Sequence, residues 1–301
     1  MYKINMRYIK YFSIQIFFLL LLFSFSYSQE KRALDSREFK ILLKAEKFTD
    51  SRNGAETIWK QIKTFAVSKG FKVSESDDAY SENIREIVFL DTKNLDFFKK
   101  NLIIRKRTKY SGSTLSSNYE LTIKLRVDDL KDAESSDVSS RDGLDSKSKF
   151  EEDIGMSNDI VGSMRSVYSL SNSVKKLTFE QGIKVKDYCD IFPSLTKAGI
   201  NQEEDIYTVN DIVIKEYVYE PGEIKFGAGM KVTAEITVWF KADETNPFIA
   251  EFSFKYKLGK KIISNESVKA CEDFFKTLQP VLSESIHSGF TKTKMIYGKS
   301  E

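Results

Sequence analysis

Apolar and charged residues alternate with a period of two over long parts of this chain, the mark of strands with one oily and one polar face. Across 119–127, Tyr119, Leu121, Ile123, Leu125 and Val127 fall on one side and Glu120, Thr122, Lys124 and Arg126 on the other. Arg105, Arg107 and Lys109 repeat the polar spacing just before it. Later, Val232, Ala234, Ile236, Val238 and Phe240 oppose Lys231, Thr233, Glu235 and Thr237. Phe252, Phe254 and Tyr256 likewise oppose Glu251, Ser253, Lys255 and Lys257. The pattern predicts eight strands, at 38–47, 85–91, 102–109, 119–127, 149–154, 209–220, 230–241 and 248–258. Pro221-Gly222, Gly227-Ala228-Gly229 and Asn246-Pro247 supply turn chemistry between the last three.

Helical spacing occupies the rest. Ile58, Ile62, Phe65 and Ala66 form one stripe over 55–69, and Gly70 follows as a stop. A helical middle is predicted over 159–197, opened by Val161, Met164 and Tyr168. A closing helix over 266–282 carries Val268, Cys271, Phe275 and Leu278. The Ser-rich pieces 111–118 and 128–148 have no apolar period and read as a hairpin tip and a long solvated, flexible loop. The order is that of an α+β domain, one mostly antiparallel sheet with helices packed outside.

Composition changes this picture at the N-terminus. Lys3, Arg7 and Lys10 precede a dense apolar run, and Ser26-Tyr27-Ser28 offers small residues for cleavage before Gln29. Residues 1–28 therefore read as a secretory signal peptide, placing the protein in the periplasm or outside the cell, with no stable membrane insertion after cleavage. A short tail, 29–36, would lead into a domain over 37–283, with a second tail over 284–301. The signal segment holds three basic residues and no acids, so the formal charge of +3 falls to zero without it. Non-specific attraction to nucleic acid gains no support from that balance. Cys189 and Cys271 are the only cysteines, and export leaves both a disulfide and two separate thiols open. With one histidine, His287, there is no His/Cys metal cluster.

Eight strands can close into a barrel that encloses one face. If the helices cover the oily faces outside, the charged faces converge inside. Arg105, Arg107, Lys124, Arg126, Lys215, Lys255 and Lys257 would then need anions to pair with. Glu120, Glu151, Asp153, Glu235 and Glu251 could supply some, and a bound polyphosphate the rest, because guanidinium forks match phosphate oxygens.

Four motifs carry a resemblance. Phe89-Leu90-Asp91-Thr92, the connection 94–100, Leu102 to Arg107 as Leu-x-x-Arg-x-Arg, and Leu121-Thr122-Ile123-Lys124 resemble the CYTH, or triphosphate tunnel metalloenzyme, family. The acidic runs 149–153 and 251–255 resemble two further strands of that family. The resemblance implies an eight-stranded antiparallel tunnel that binds triphosphate or polyphosphate compounds. Arg105, Arg107, Lys124, Arg126, Lys215 and Lys255 would grip the substrate. Glu120, Glu151, Asp153, Glu235 and Glu251 would hold Mg²⁺ or Mn²⁺ for phosphoanhydride hydrolysis.

The chain also departs from that pattern. The family opens on Glu-x-Glu-x-Lys, whereas the first strand reads Glu38-Phe39-Lys40-Ile41-Leu42, and Ser253 interrupts the late acids. A hard cation needs several oxygen ligands, so metal-dependent hydrolysis and binding without turnover both remain open. A different class, an exported lipid or amphiphile carrier with an oily half-barrel, is the remaining alternative. The oligomeric state is not legible.

Overall fold

The computed structural model describes residues 32–177, 184–227, 230–259, 263–288 and 291–298. The chain divides into a leading unit, 1–32, and a compact unit from Ala33 onward. The signal segment expected at 1–28 lies outside the described residues. In the compact unit the strands are β1 (Ser36–Leu43), β2 (Lys72–Glu75), β3 (Asn83–Thr92), β4 (Leu102–Ser111), β5 (Thr114–Val127), β6 (Ser146–Gly155), β7 (Arg165–Leu177), β8 (Ile206–Lys225), β9 (Lys231–Lys241) and β10 (Pro247–Lys257). The helices are α1 (Ser51–Ser68), α2 (Asp96–Lys99), α3 (Leu130–Ser135), α4 (Val185–Cys189), α5 (Asn265–Val281) and α6 (Lys292–Tyr297).

The sheet runs β8-β3-β4-β5-β7-β6-β1-β10-β9 and returns to β8 through a β8–β9 pairing, so nine strands close a barrel. The short β2 hangs on β8 outside the ring. Two expectations are corrected here. The barrel has nine strands rather than eight, and it is mixed, because β1 and β6 run parallel from Ser36↔Glu151 to Phe39↔Ile154. The added strand is β7, which occupies the front of the predicted helical middle. Its Ser169, Ser171 and Ser173 alternate with Leu170 and Val174 at period two, and serines compete poorly for a helix interior. Among the described residues, what remains helical there is α4 and a 3₁₀ turn at Pro193–Ala198.

Local chemistry sets the long helices. Asp50 caps α1, its carboxylate accepting from Asn53 N at 3.0 Å, and Gly70 follows the helix at φ +82°. Ser264 caps α5 by accepting from Ser267 N at 3.2 Å. These two helices cover the apolar outer face of β1, β8, β9 and β10. Phe39, Ile41, Ile236, Val238, Phe252 and Phe254 pack there against Ile58, Trp59 and Ile62 of α1 and Phe274, Phe275 and Leu278 of α5. A second cluster, outside β4 to β7, joins Leu121, Ile123, Phe150 and Leu170 to Tyr188, Phe192 and Leu195. Ala133 and Val138 enter it from the 128–148 segment, which carries α3 as well as loop.

Residues 284–298, read from sequence as a tail, continue into the fold where described. Ile286 bridges Leu43, and His287 N donates to Leu42 O at 2.9 Å. α6 buries Ile296 and Tyr297 in a third cluster with Ile87, Phe89, Trp239 and Ile249. Cys189 and Cys271 are free and buried in different clusters. Among the described residues no helix is long and apolar enough to cross a membrane.

Candidate anion-binding channel

Because outward positions pack the helices, the alternate positions of each strand face the barrel interior. The register joins them into one surface. Glu38, Lys40 and Leu42 of β1 stand opposite Lys255, Ser253 and Glu251 of β10, which in turn face Thr233, Glu235 and Thr237 of β9. On the far wall Arg105 and Arg107 of β4 stand opposite Thr122 and Glu120 of β5. Thr122, Lys124 and Arg126 then meet Ser173, Ser171 and Ser169 of β7. Glu151 and Asp153 of β6 complete the ring beside Ser36 and Glu38. The interior is charged over these positions and turns apolar toward α6, where Ile87, Phe89, Ile103, Ile214 and Ile249 continue the inward faces.

Two ionic centres dominate. Asp153 accepts from Lys40 Nζ at 2.7 Å, Lys124 Nζ at 3.1 Å and Arg126 Nη2 at 3.0 Å. Lys40 also lies 2.9 Å from Glu38 Oε2, so its ammonium bridges two carboxylates. In the other centre, Glu216 pairs with Arg85 at 2.8 Å and accepts from Trp239 Nε1 at 2.8 Å. Glu120 holds Arg107 at 3.6 Å. Toward α6, Lys292 Nζ reaches Glu251 at 2.8 Å and Thr237 Oγ1 at 2.8 Å, with its ammonium 4.8 Å from the centre of the Trp239 ring.

The balance of charge is lopsided. Arg105 has no carboxylate within ion-pair distance among the described residues, and its Nε, like those of Arg107 and Arg126, is buried without a hydrogen-bond acceptor. Burial, then the neighbouring Arg107, push the Arg105 guanidinium down to about 9. Burial likewise depresses Lys124 to about 8, against the pull of Asp153. The carboxylates go the other way. Burial would raise Glu216, but Arg85 and Arg107 carry it down to about 2. Asp153 is also held well below its ordinary range, burial being outweighed by Lys124, Lys40 and Arg126. Glu235 is raised, by burial first and then by the charge of Glu38. The interior is therefore short of anions around Arg105, Arg107 and Lys124.

Of the predicted grips, Arg105, Arg107, Lys124, Arg126 and Lys255 line the interior. Lys215 does not. It pairs in register with Glu86 and Phe240 and lies against the Tyr110 and Tyr217 rings, on the opposite face from Glu216. The run at 209–220 alternates, but period two alone does not say which set faces in. Sequence reasoning missed Arg85, Glu216 and Trp239, whose place follows from pairing, and Lys292, which arrives from a distant segment. Ser169, Ser171 and Ser173 were hidden inside the predicted helix. Asp91 and Thr92 prove to be turn formers. Asp91 accepts from the backbone of Thr92, Phe97 and Phe98 at 2.8–3.0 Å, which clamps α2 after β3.

The predicted metal ligands fit a divalent cation badly. Among the described residues no group of three carboxylate, thiol or imidazole side chains converges as a metal site. Glu120 belongs to Arg107, Asp153 to three cations, Glu251 to Lys292, and Glu151 to Ser36 and Lys149 at 2.9 and 3.9 Å. With those four already paired, and with Glu235 opposite Ser253 and raised by burial, little charge is left for a hard cation. What the arrangement can do is hold an anion with many oxygens, through guanidinium forks, an ammonium and a row of hydroxyls.

No protein-family model matches this sequence, and no curated protein matches it. Solved structures with similar folds include a putative adenylyl cyclase from Hippeastrum, described as having a dominant triphosphatase activity. It is 11% identical with TM-score 0.43, over 88% of this chain and 96% of that one. A putative adenylate cyclase from Bacillus halodurans is 10% identical, with TM-score 0.39, over 87% of this chain and 98% of that one. A Pyrococcus horikoshii protein is 12% identical, with TM-score 0.35, over 87% and 98%. Similarity at this level says nothing about ligand or reaction.

Proposed function

We propose that this chain binds a compound of linked phosphates, of the triphosphate or polyphosphate class, inside the barrel. The observation that carries the reading is the pair Arg105 and Arg107. Both guanidiniums are depressed by burial in the channel wall, and both present an unmatched Nε there. At neutral pH both guanidiniums keep their charge and Glu120 reaches only Arg107, so the pair calls for a further anion from outside the chain. Linked phosphates fit, because they offer several charged oxygens along a line, as the Arg105, Arg107, Lys124 and Arg126 positions require. Binding without turnover is favoured over hydrolysis, since Asp153, Glu120 and Glu251 are engaged with cations and Glu235 alone cannot hold a metal.

Calorimetry with tripolyphosphate tests this. Wild type should bind, and Arg107→Ala or Lys124→Ala should weaken binding at least ~30-fold, the loss of about 2 kcal/mol expected for a charged hydrogen bond. Both variants should still unfold in one cooperative transition, which keeps a loss of binding separate from a loss of fold. Unchanged affinity in both would sink the proposal.

Export belongs to the same proposal, on the strength of the basic start, apolar run and small-residue site over 1–28. In a cell that makes the full chain, the product should appear outside the cytoplasm and its N-terminal sequence should begin at Gln29. A cytoplasmic product beginning at Met1 would reject export.

A further inference from the structure

Lys40 sits where the channel's carboxylates converge. Its ammonium is 2.7 Å from Asp153 Oδ1 and 2.9 Å from Glu38 Oε2, and Glu251 is near enough to stabilise its charge further. The three acids come from β6, β1 and β10, so the pairing of β1 with a strand on either side assembles them. Lys124 and Arg126 share the other oxygen of Asp153. We propose that the Lys40 ammonium is a built-in replacement for a divalent cation. It neutralises the carboxylates of the channel and offers its remaining positive field to the bound anion, so ligand uptake needs no metal. The proposal rests on the polyphosphate reading for its ligand, but its metal half stands on the Lys40 geometry alone.

The physical case is one of competition. An ammonium has three donors and unit charge, and here at least two of its donors go to carboxylates. A divalent cation entering this space would have to expel Lys40, leaving its ammonium without carboxylates next to Lys124 and Arg126, the two cations that share Asp153. Magnesium, which also gives up its waters reluctantly, has few neutral oxygens nearby to repay that step. One side chain thus fills the site and repels its competitor. Lys40 is covalently held, so the bridge needs no recruitment from solution and survives a chelator.

Paired measurements with Mn²⁺ and tripolyphosphate test the idea. By paramagnetic resonance of free Mn²⁺, the wild-type protein should take up none at millimolar metal. By calorimetry its tripolyphosphate affinity in EDTA should be full, with no gain on adding Mg²⁺. Lys40→Glu removes the ammonium and adds a carboxylate beside Glu38 and Asp153. It should bind about one Mn²⁺, lose at least ~10-fold in tripolyphosphate affinity in EDTA, and recover affinity when Mn²⁺ is present. Lys40→Gln, which keeps length without charge, should show the same loss in EDTA and guards against misfolding of the acidic variant. Stoichiometric Mn²⁺ uptake by wild type, or a tenfold gain in its affinity with Mg²⁺, would overturn the proposal. So would Lys40→Glu that folds yet takes up no Mn²⁺, or Lys40→Gln that binds the anion unchanged in EDTA. A wild-type chain that ignores tripolyphosphate in every buffer rejects the ligand, and the Mn²⁺ measurements then judge Lys40 by themselves.

Discussion

Lys124 shows how a single residue couples the channel to pH. Burial depresses it to about 8 from its ordinary 10.5, with Asp153 opposing the drop. A phosphate oxygen at Lys124 favours the charged form, so the bound state keeps its proton where the free state has lost it. Above pH 8 binding must therefore take up a proton, and affinity should fall by up to about tenfold per pH unit. Titrating tripolyphosphate affinity from pH 6 to 10 checks this. Lys124→Arg, charged throughout, should flatten the upper limb, and comparing the two proteins cancels the titration of the ligand. A wild-type profile no steeper than that of the variant would place the cation outside the binding surface.

Among the elements, α6 has the most unusual position, because a six-residue helix from the end of the chain closes over barrel strands. Its hold is apolar and ionic together. Ile296 and Tyr297 are buried beside Phe89 and Trp239, Tyr297 stacks on Phe98 at 4.1 Å, and Lys292 pairs with Glu251. Ile296→Ala should cost about 2–5 kcal/mol, the range for emptying a buried aliphatic site. Denaturant unfolding measures that loss, and Trp239 emission should shift to the red as water reaches the third cluster. An unchanged midpoint and spectrum would mean that α6 rests on the barrel without sealing it. Helical period told little here, since six residues make less than two turns and the tail carries no amphipathic stripe long enough to read. The longer α1 and α5 were legible because their stripes and caps agree.

At the scale of the whole molecule the inward charges make stability depend on acid. Glu216 is held near 2 against an ordinary 4.5, and Glu38 and Asp153 lie below their usual range for the same reason, partner cations that outweigh burial. A carboxylate depressed by folding stabilises the native state fully above its unfolded value and loses that contribution as pH falls toward its folded one. The melting temperature should therefore drop progressively from pH 4.5 to about 2. Lys124 has the opposite sense. Folding disfavours its charged form, so stability should rise between pH 8 and 10.5. Tripolyphosphate at a hundred times its dissociation constant should add about 2.7 kcal/mol at neutral pH. Scanning calorimetry across pH, with and without the anion, measures all three. A melting temperature flat from pH 6 down to 2 would show that the inward acids are not the paired groups described.

Much of this was written along the chain. Period two located eight of the nine barrel strands, although β5 and β6 begin earlier, β8 runs longer and β1 ends sooner than expected. β7 was mistaken for helix because Val161, Met164 and Tyr168, the last of them inside the strand, happened to fall at helical spacing. Alternation is a local property, set by successive side chains pointing to opposite faces, and so it survives in one dimension. Which face turns inward is not local. It was decided by closure of β8 onto β9, and closure turned Lys215 out and brought Arg85 and Glu216 in. The ionic partners were decided at the same moment. Asp153 is distant in sequence from Glu38 and Lys40 and meets them only because β1 lies parallel to β6, a pairing that no period could announce.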